Sequence, residues 1–359
     1  MGEPCHHRGV RERILQIVEA DGPMPFERFM DLALYHPDGG FFTGDTLRSQ
    51  KAGDFLTSPE VSPMFGQTLA AYVAAERERI GEPFRLVEVA SGSGSLLGPL
   101  LETHPVEAWA VEVSPPARRA LADVVGADRV VASLSDVPQP WRGVILANEL
   151  IDNLPMAIAQ RTTVGWRERW VGADGDGLTF VDAPVRPEVE KWLGEFGGDV
   201  EEGGWVEVQL EAYRWVTEAV TGLEAGSVVL FDYGDTTENL LPRRRDGTLR
   251  TYRSHHLGPH PLDEPGATDI TADVNFTAIQ HAAETAGAEV EVWRQDDFLA
   301  GLGLRERLSA LRHEELELAR RGDEMARLEV RTRLHEAETL MHPRGLGDFR
   351  VLVARKSAS

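Results

Sequence analysis

Lysine is nearly missing from this 359-residue chain: Lys51, Lys191 and Lys356 are the only three among 37 basic side chains, and the rest are arginine. We read that skew as codon usage rather than recognition chemistry. Positive charge as a whole is scarce. Thirty-seven Lys and Arg face 59 Asp and Glu, a net charge of −22. Nucleic-acid binding draws its affinity from neutralised phosphates, so no nucleic-acid partner is expected. An anionic membrane surface repels such a chain for the same reason. Cysteine is down to one, Cys5. One thiol closes no internal disulfide, and no Cys pair offers zinc ligand spacing, so no metal site is expected. Long apolar runs are missing too. None approaches the ~18 residues that mark a membrane span, and the N-terminus has no apolar signal core. A cytoplasmic protein is the expectation.

What is present is an ordinary globular composition, 42% hydrophobic and 27% charged, long enough for a large core. Helical spacing covers residues 10–20, 25–34 and 64–79, with a loop over 41–63. From residue 85 short apolar runs alternate with helical stretches. Strands are expected at 85–90, 108–113, 129–132, 144–147 and 228–232, with 290–293 and 349–354 closing the series. That alternation predicts an α/β fold with a mostly parallel sheet. Three segments interrupt it: 156–225, with a hairpin at 174–177 and two helices; 233–275, Gly/Pro-rich and mostly loop; and 298–345, helical. The expected organisation is an N-terminal helical segment with a loop (1–80), a first core part (81–155), an insertion (156–225), a continued core (226–297) and a helical insertion with the last strand (298–359).

The strongest local signal is Leu86-Val87-Glu88-Val89-Ala90-Ser91-Gly92-Ser93-Gly94. An apolar strand carries an acid near its end, then turns through two glycines into a helix. Glycines let a backbone approach a ligand, the helix start presents free N–H groups, and ligands sit at the carboxyl ends of such strands. Glu112 ends the next strand, where a carboxylate can hold a ribose diol. A dinucleotide enzyme would share this plan, but its third glycine would fall on Leu97. Glu88 fits an S-adenosylmethionine site better, as partner to the amino-acid end of the cofactor.

The second constellation, Asn148-Glu149-Leu150-Ile151-Asp152-Asn153, follows the fourth strand and reaches the same crevice. If a helical turn starts here, Glu149 and Asp152 share a face and can grip a guanidinium or take its proton. The same pair could equally be acids stabilised by a helix dipole. Phe231-Asp232-Tyr233-Gly234 ends a strand and either borders the site or supplies core. His255, His256 and His260 lie in a Gly/Pro-rich loop, read as solvated or lid-like. Arg243-Arg244-Arg245 reads as solvated loop.

Taken together, the blocks Gly22-Pro23-Met24-Pro25-Phe26, Leu34-Tyr35-His36-Pro37, Gly53-Asp54-Phe55-Leu56-Thr57-Ser58-Pro59-Glu60, Phe65-Gly66, Val111-Glu112-Val113-Ser114-Pro115, Asn148 to Pro155, Asp232-Tyr233-Gly234, Gly247-Thr248-Leu249-Arg250 and Asp269 to Phe276 carry a resemblance. Over about residues 20–354 the chain resembles the MidA-like (DUF185) methyltransferases. The resemblance implies a Rossmann-like class I methyltransferase fold with a seven-stranded sheet. It also implies S-adenosylmethionine as cofactor and methylation of arginine on a protein, with a small-molecule acceptor or a non-catalytic assembly role as alternatives. Carried over, Glu88, Ala90, Ser91, Gly92 and Gly94 form the cofactor loop. Glu112, beside Val113, meets the ribose, and Thr57, Ser58 and Glu60 form the N-terminal wall. Asn148, Glu149 and Asp152 sit where acceptor and cofactor meet. The chain departs from the family's Glu-x-Gly-Pro-Gly-Arg-Gly loop at Ala90, Ser91 and Ser93; an ordinary φ at position 90 would accommodate the alanine. Ala132-Ser133 replace a Trp-His pair expected near the adenine. The expected partner is an Arg-bearing protein, met by the acidic 161–225 segment with 6 basic and 14 acidic residues. A homodimer stays open.

Overall fold

The computed structural model describes residues 6–44, 57–175, 177–253 and 256–357. Cys5, Gly53 to Leu56 and His255 lie outside them. Seven strands build the central sheet: β1 (Arg85–Val89), β2 (Glu107–Val111), β3 (Val130–Val131), β4 (Trp141–Asn148), β5 (Leu223–Asp232), β6 (Glu289–Arg294) and β7 (Arg350–Lys356). Their order is β3-β2-β1-β4-β5-β7-β6. All neighbours pair parallel except β7, which runs antiparallel to both β5 and β6.

The apolar runs follow from burial on both faces. Along β5, Val229 and Phe231 enter one core, while Val228 and Leu230 enter the other; Val351 and Val353 against Leu352 and Ala354 repeat this on β7. Helices Met64–Ile80, Leu97–Thr103 and Pro115–Val125 cover the first face. Leu210–Gly222 and Phe276–Thr285 cover the second. Gly66 lets the 64–80 helix approach the glycine turn: a Cβ there would lie 2.4 Å from the Leu96 carbonyl oxygen.

The 156–225 segment forms a second sheet from Ala157–Thr162, Gly165–Asp174, Gly177–Ala183 and Trp205–Val208. The N-terminal segment joins it. Met24 pairs with Val171 and Pro25 with Trp170, and Phe26, Phe29 and Met30 share a core with Ile158 and Val171. The 233–275 segment is less loop-like than its sequence reads. Arg250–Arg253 pairs with His256–Leu257 and Asp269–Thr271, and Gly234–Asp235 with Val274–Asn275. Strands of two to four residues leave no periodicity to detect. A one-turn helix, Ser58–Val61, likewise interrupts the expected 41–63 loop.

Arg244 departs furthest from its sequence reading. It is fully buried, with a guanidinium N–H donating to the Gly197 carbonyl at 2.7 Å. Burial pulls its pKa down. Its stem fills core volume, so Arg244→Ala should cost about 2–4 kcal/mol, read from the urea midpoint. Among the described residues no helix is long and apolar enough to cross a membrane.

Candidate active site

β1 and β4 are neighbours from which the chain departs in opposite directions, so a crevice opens at their carboxyl ends. A cavity of about 840 Å³ occupies it. Glu88, Ala90, Ser91, Gly92, Glu112, Val113, Thr57, Asn148 and Glu149 all line this cavity, together with Tyr35, Phe42, Leu134, Leu150 and Trp215. Four sequence-derived residues stand behind the wall: Gly94, Ser58, Glu60 and Asp152.

The glycine turn is tight. Gly92 and Gly94 have φ of 52° and 84°, and so does Ala90, at 57°. Position 90 therefore lacks the ordinary φ that would accommodate an alanine without cost. A non-glycine residue in this region costs roughly 1–2 kcal/mol. The conformation is held from outside, since the Ala90 N–H donates to the Val111 carbonyl at 2.9 Å. Ala90→Gly should raise stability by about 1 kcal/mol, measured by chemical denaturation. A Cβ on Gly94 would meet Leu121 and Val124 at 3.2 Å, so this glycine seats the turn on the 115–125 helix.

Glu112 organises the turn. Its two carboxylate oxygens accept from the Gly92 and Ser114 N–H groups, each at 2.8 Å. The Val113 N–H also acts on this carboxylate, which keeps capacity for a further donor. Glu88 is 3% exposed, and its Oε2 is buried without a hydrogen-bond partner. Burial, then the nearby Glu112 charge, pushes its carboxyl well above the usual range.

Glu149 sits at φ 52°, with its N–H donating to the Phe231 carbonyl at 2.8 Å. Asn148 Nδ2 donates to its Oε1 at 3.0 Å, while Asn148 Oδ1 is buried without a partner. Burial first, then the Asp152 charge, raises the Glu149 carboxyl to about 8. The shared helical face expected for Glu149 and Asp152 does not form. The helical turn begins only at Ile151, and left-handed Glu149 lies outside it. Glu149 faces the cavity, while Asp152 turns inward and accepts hydroxyls of Tyr233 and Thr271, the latter at 2.6 Å.

Asp232 is the residue that sequence reading undervalued. Its carboxylate accepts from the N–H groups of Ile151 (2.9 Å), Asp152 (3.2 Å) and Tyr233 (2.9 Å), tying the 151–153 turn to the end of β5. Burial beside Asp152 and Glu149 pushes its pKa well up. An acid ending a strand was the available signal. Phe231 is core, and His260 packs edge-on against Phe180.

Among the described residues the cavity is lined by four carboxylates (Glu88, Glu112, Glu149 and Glu218) and by no Lys, Arg or His. A dinucleotide's pyrophosphate is a poor occupant of such a wall. S-adenosylmethionine, with an ammonium and a sulfonium, fits it, and the unpartnered Glu88 oxygen fits a cationic donor.

The model of a family described as S-adenosyl-L-methionine-dependent methyltransferases matches residues 68–293. The chain belongs to that family. Mouse mitochondrial protein arginine methyltransferase NDUFAF7 is 30% identical over 92% of this chain and 80% of its own length. The human protein is 29% identical over 92% and 79%. A crystal structure from Burkholderia thailandensis with S-adenosyl-homocysteine bound superposes with a TM-score of 0.86, at 27% identity, covering all of this chain and 95% of the other. The chain is thus a class I methyltransferase that uses S-adenosylmethionine. The cytoplasmic expectation is corrected: these relatives are mitochondrial proteins. A lone cysteine fits any reducing compartment and does not separate one from another.

Proposed function

We propose that this methyltransferase acts on an arginine nitrogen of a protein. The observation that carries the reading is Glu149, a buried acid raised to about 8, held by Asn148 at the wall of a cavity that contains no cationic side chain among its described residues. The relatives' names as protein arginine methyltransferases support it.

The cofactor supplies a methyl group on a positively charged sulfur, already activated, so the protein's task is alignment and exclusion of water. Glu88 receives the cofactor's ammonium, and Glu112 offers its remaining acceptor capacity to the ribose hydroxyls. Ala90, Ser91, Gly92 and Val113 shape the cofactor wall, which Gly94 seats. Thr57 closes the N-terminal side, with Ser58 and Glu60 behind it. Asn148 fixes the Glu149 carboxylate against the guanidinium, and Glu149 accepts the proton that leaves as the new bond forms. Asp152 acts from behind, its charge raising the proton affinity of Glu149.

The acidic 161–225 segment suits an Arg-bearing protein. Raising salt from about 50 to 500 mM should increase KM for the protein acceptor several-fold, while cofactor affinity changes less than about twofold. With methyl-labelled cofactor and lysate, label on arginine in protein bands is expected. Label confined to the small-molecule fraction overturns the protein assignment.

A further inference from the structure

The cavity does not stop where the cofactor should. Asn148 and Trp141 both line it, yet they are the two ends of β4, roughly 23 Å apart at ~3.3 Å per residue. A ligand of an open α/β sheet sits at the carboxyl ends of the strands. Here the space also runs toward the amino end, between residues 132–139 and the 210–222 helix.

The cause lies in the chain between β3 and β4. A parallel crossover is usually built on a helix that covers the face. Residues 132–140 contain only a single 3-10 turn, Leu134–Asp136, capped by Ser133. The face beneath is left to the 210–222 helix, which contributes Trp215, Thr217, Glu218, Thr221 and Gly222 to the cavity. The side chains at the mouth of this extension are small: Ala132, Ser133 and Ser135. Its floor is aromatic and fixed, because Trp141 is buried with its indole N–H donating to the Val137 carbonyl at 3.1 Å.

We propose that this extension is a second ligand compartment beyond the adenine, shaped for a flat aromatic group carried on the exocyclic nitrogen of the base. The inference rests on the cofactor lying with its amino-acid end at Glu88 and its ribose at Glu112, which sends the base toward Ser133. The compartment's chemistry selects the occupant. Trp141 and Trp215 line it with aromatic carbon, Ser135, Gln139, Thr217 and Thr221 offer neutral hydrogen bonds, and Glu218 is the single charge. A phosphate or carboxylate substituent would meet only that negative charge.

Titration of the full-length protein with S-adenosylhomocysteine and its N6-benzyl derivative tests this. The two should bind within about threefold of each other, since an aromatic group that stacks offsets the cost of ordering it. Thr221→Trp, which narrows the compartment far from Glu88, should weaken the benzyl compound at least about tenfold and leave the parent compound within about twofold. A benzyl compound bound over about 100-fold more weakly than the parent by the unaltered protein overturns the compartment. So does a Thr221→Trp variant that keeps full affinity for it, or one that loses both ligands equally while still folded. Failure of the parent compound itself to bind would instead strike at the cofactor site.

Discussion

Glu149→Gln is expected to lower kcat by about 10²- to 10⁴-fold, the usual contribution of a positioned general base, with cofactor affinity changed less than about threefold. The substitution keeps shape and the contact with Asn148, and removes the ability to take a proton together with the negative charge that faces the guanidinium. Folding gives an independent control. The Glu149 carboxyl is raised to about 8 in the folded protein, so folding takes up a proton once the pH exceeds the unfolded carboxyl's value near 4.5. That group's contribution to stability is therefore full below pH 4.5 and is lost as pH rises toward 8. Glu149→Gln should be no less stable than the parent at pH 8, and its stability should fall less between pH 5 and 8. Single-turnover kinetics, isothermal titration with S-adenosylhomocysteine and denaturation at the two pH values separate the effects. Equal losses in turnover and cofactor affinity would contradict the acceptor-side role.

Glu88→Gln is expected to act on the opposite half of the site. A buried charge-assisted hydrogen bond is worth about 1.5–3 kcal/mol, so cofactor affinity should fall about 10- to 100-fold. The pH dependence carries a sign. Burial and Glu112 favour the protonated Glu88 in the free protein, whereas the cofactor's ammonium requires the carboxylate. Binding therefore favours loss of that proton, and affinity for S-adenosylhomocysteine should rise with pH across the range in which Glu88 titrates. Titrations in buffers of different ionisation enthalpy count that proton. The variant should release fewer protons and show a flatter profile. An unchanged proton count would move the ammonium away from Glu88.

The parts of the fold that sequence makes visible are those fixed locally. β1, β2, β4, β5 and β7 announce themselves because strands buried on both faces are predominantly apolar. The glycine turn is visible because close approach leaves few alternatives to Gly92 and Gly94. What escapes is fixed by distant neighbours. The left-handed conformation of Glu149 depends on the Phe231 carbonyl, and the inward turn of Asp152 on Tyr233 and Thr271. Asp232 holds Ile151 from 81 residues away. Buried Arg244 finds an acceptor in Gly197 and a nearby charge in Glu207, and Met24 finds its strand partner in Val171. Nothing in the local pattern around these residues encodes such partners. The same holds for Ala90, whose backbone angle reverses what an alanine normally prefers.

The most direct test of the account is a crystal structure of this protein with S-adenosylhomocysteine and an arginine-containing peptide. We expect the cofactor's ammonium on Glu88, its ribose hydroxyls on Glu112, and the guanidinium between the Glu149 carboxylate and the sulfur. A guanidinium bound away from Glu149, or a cofactor reversed so that its ribose leaves Glu112, would contradict it.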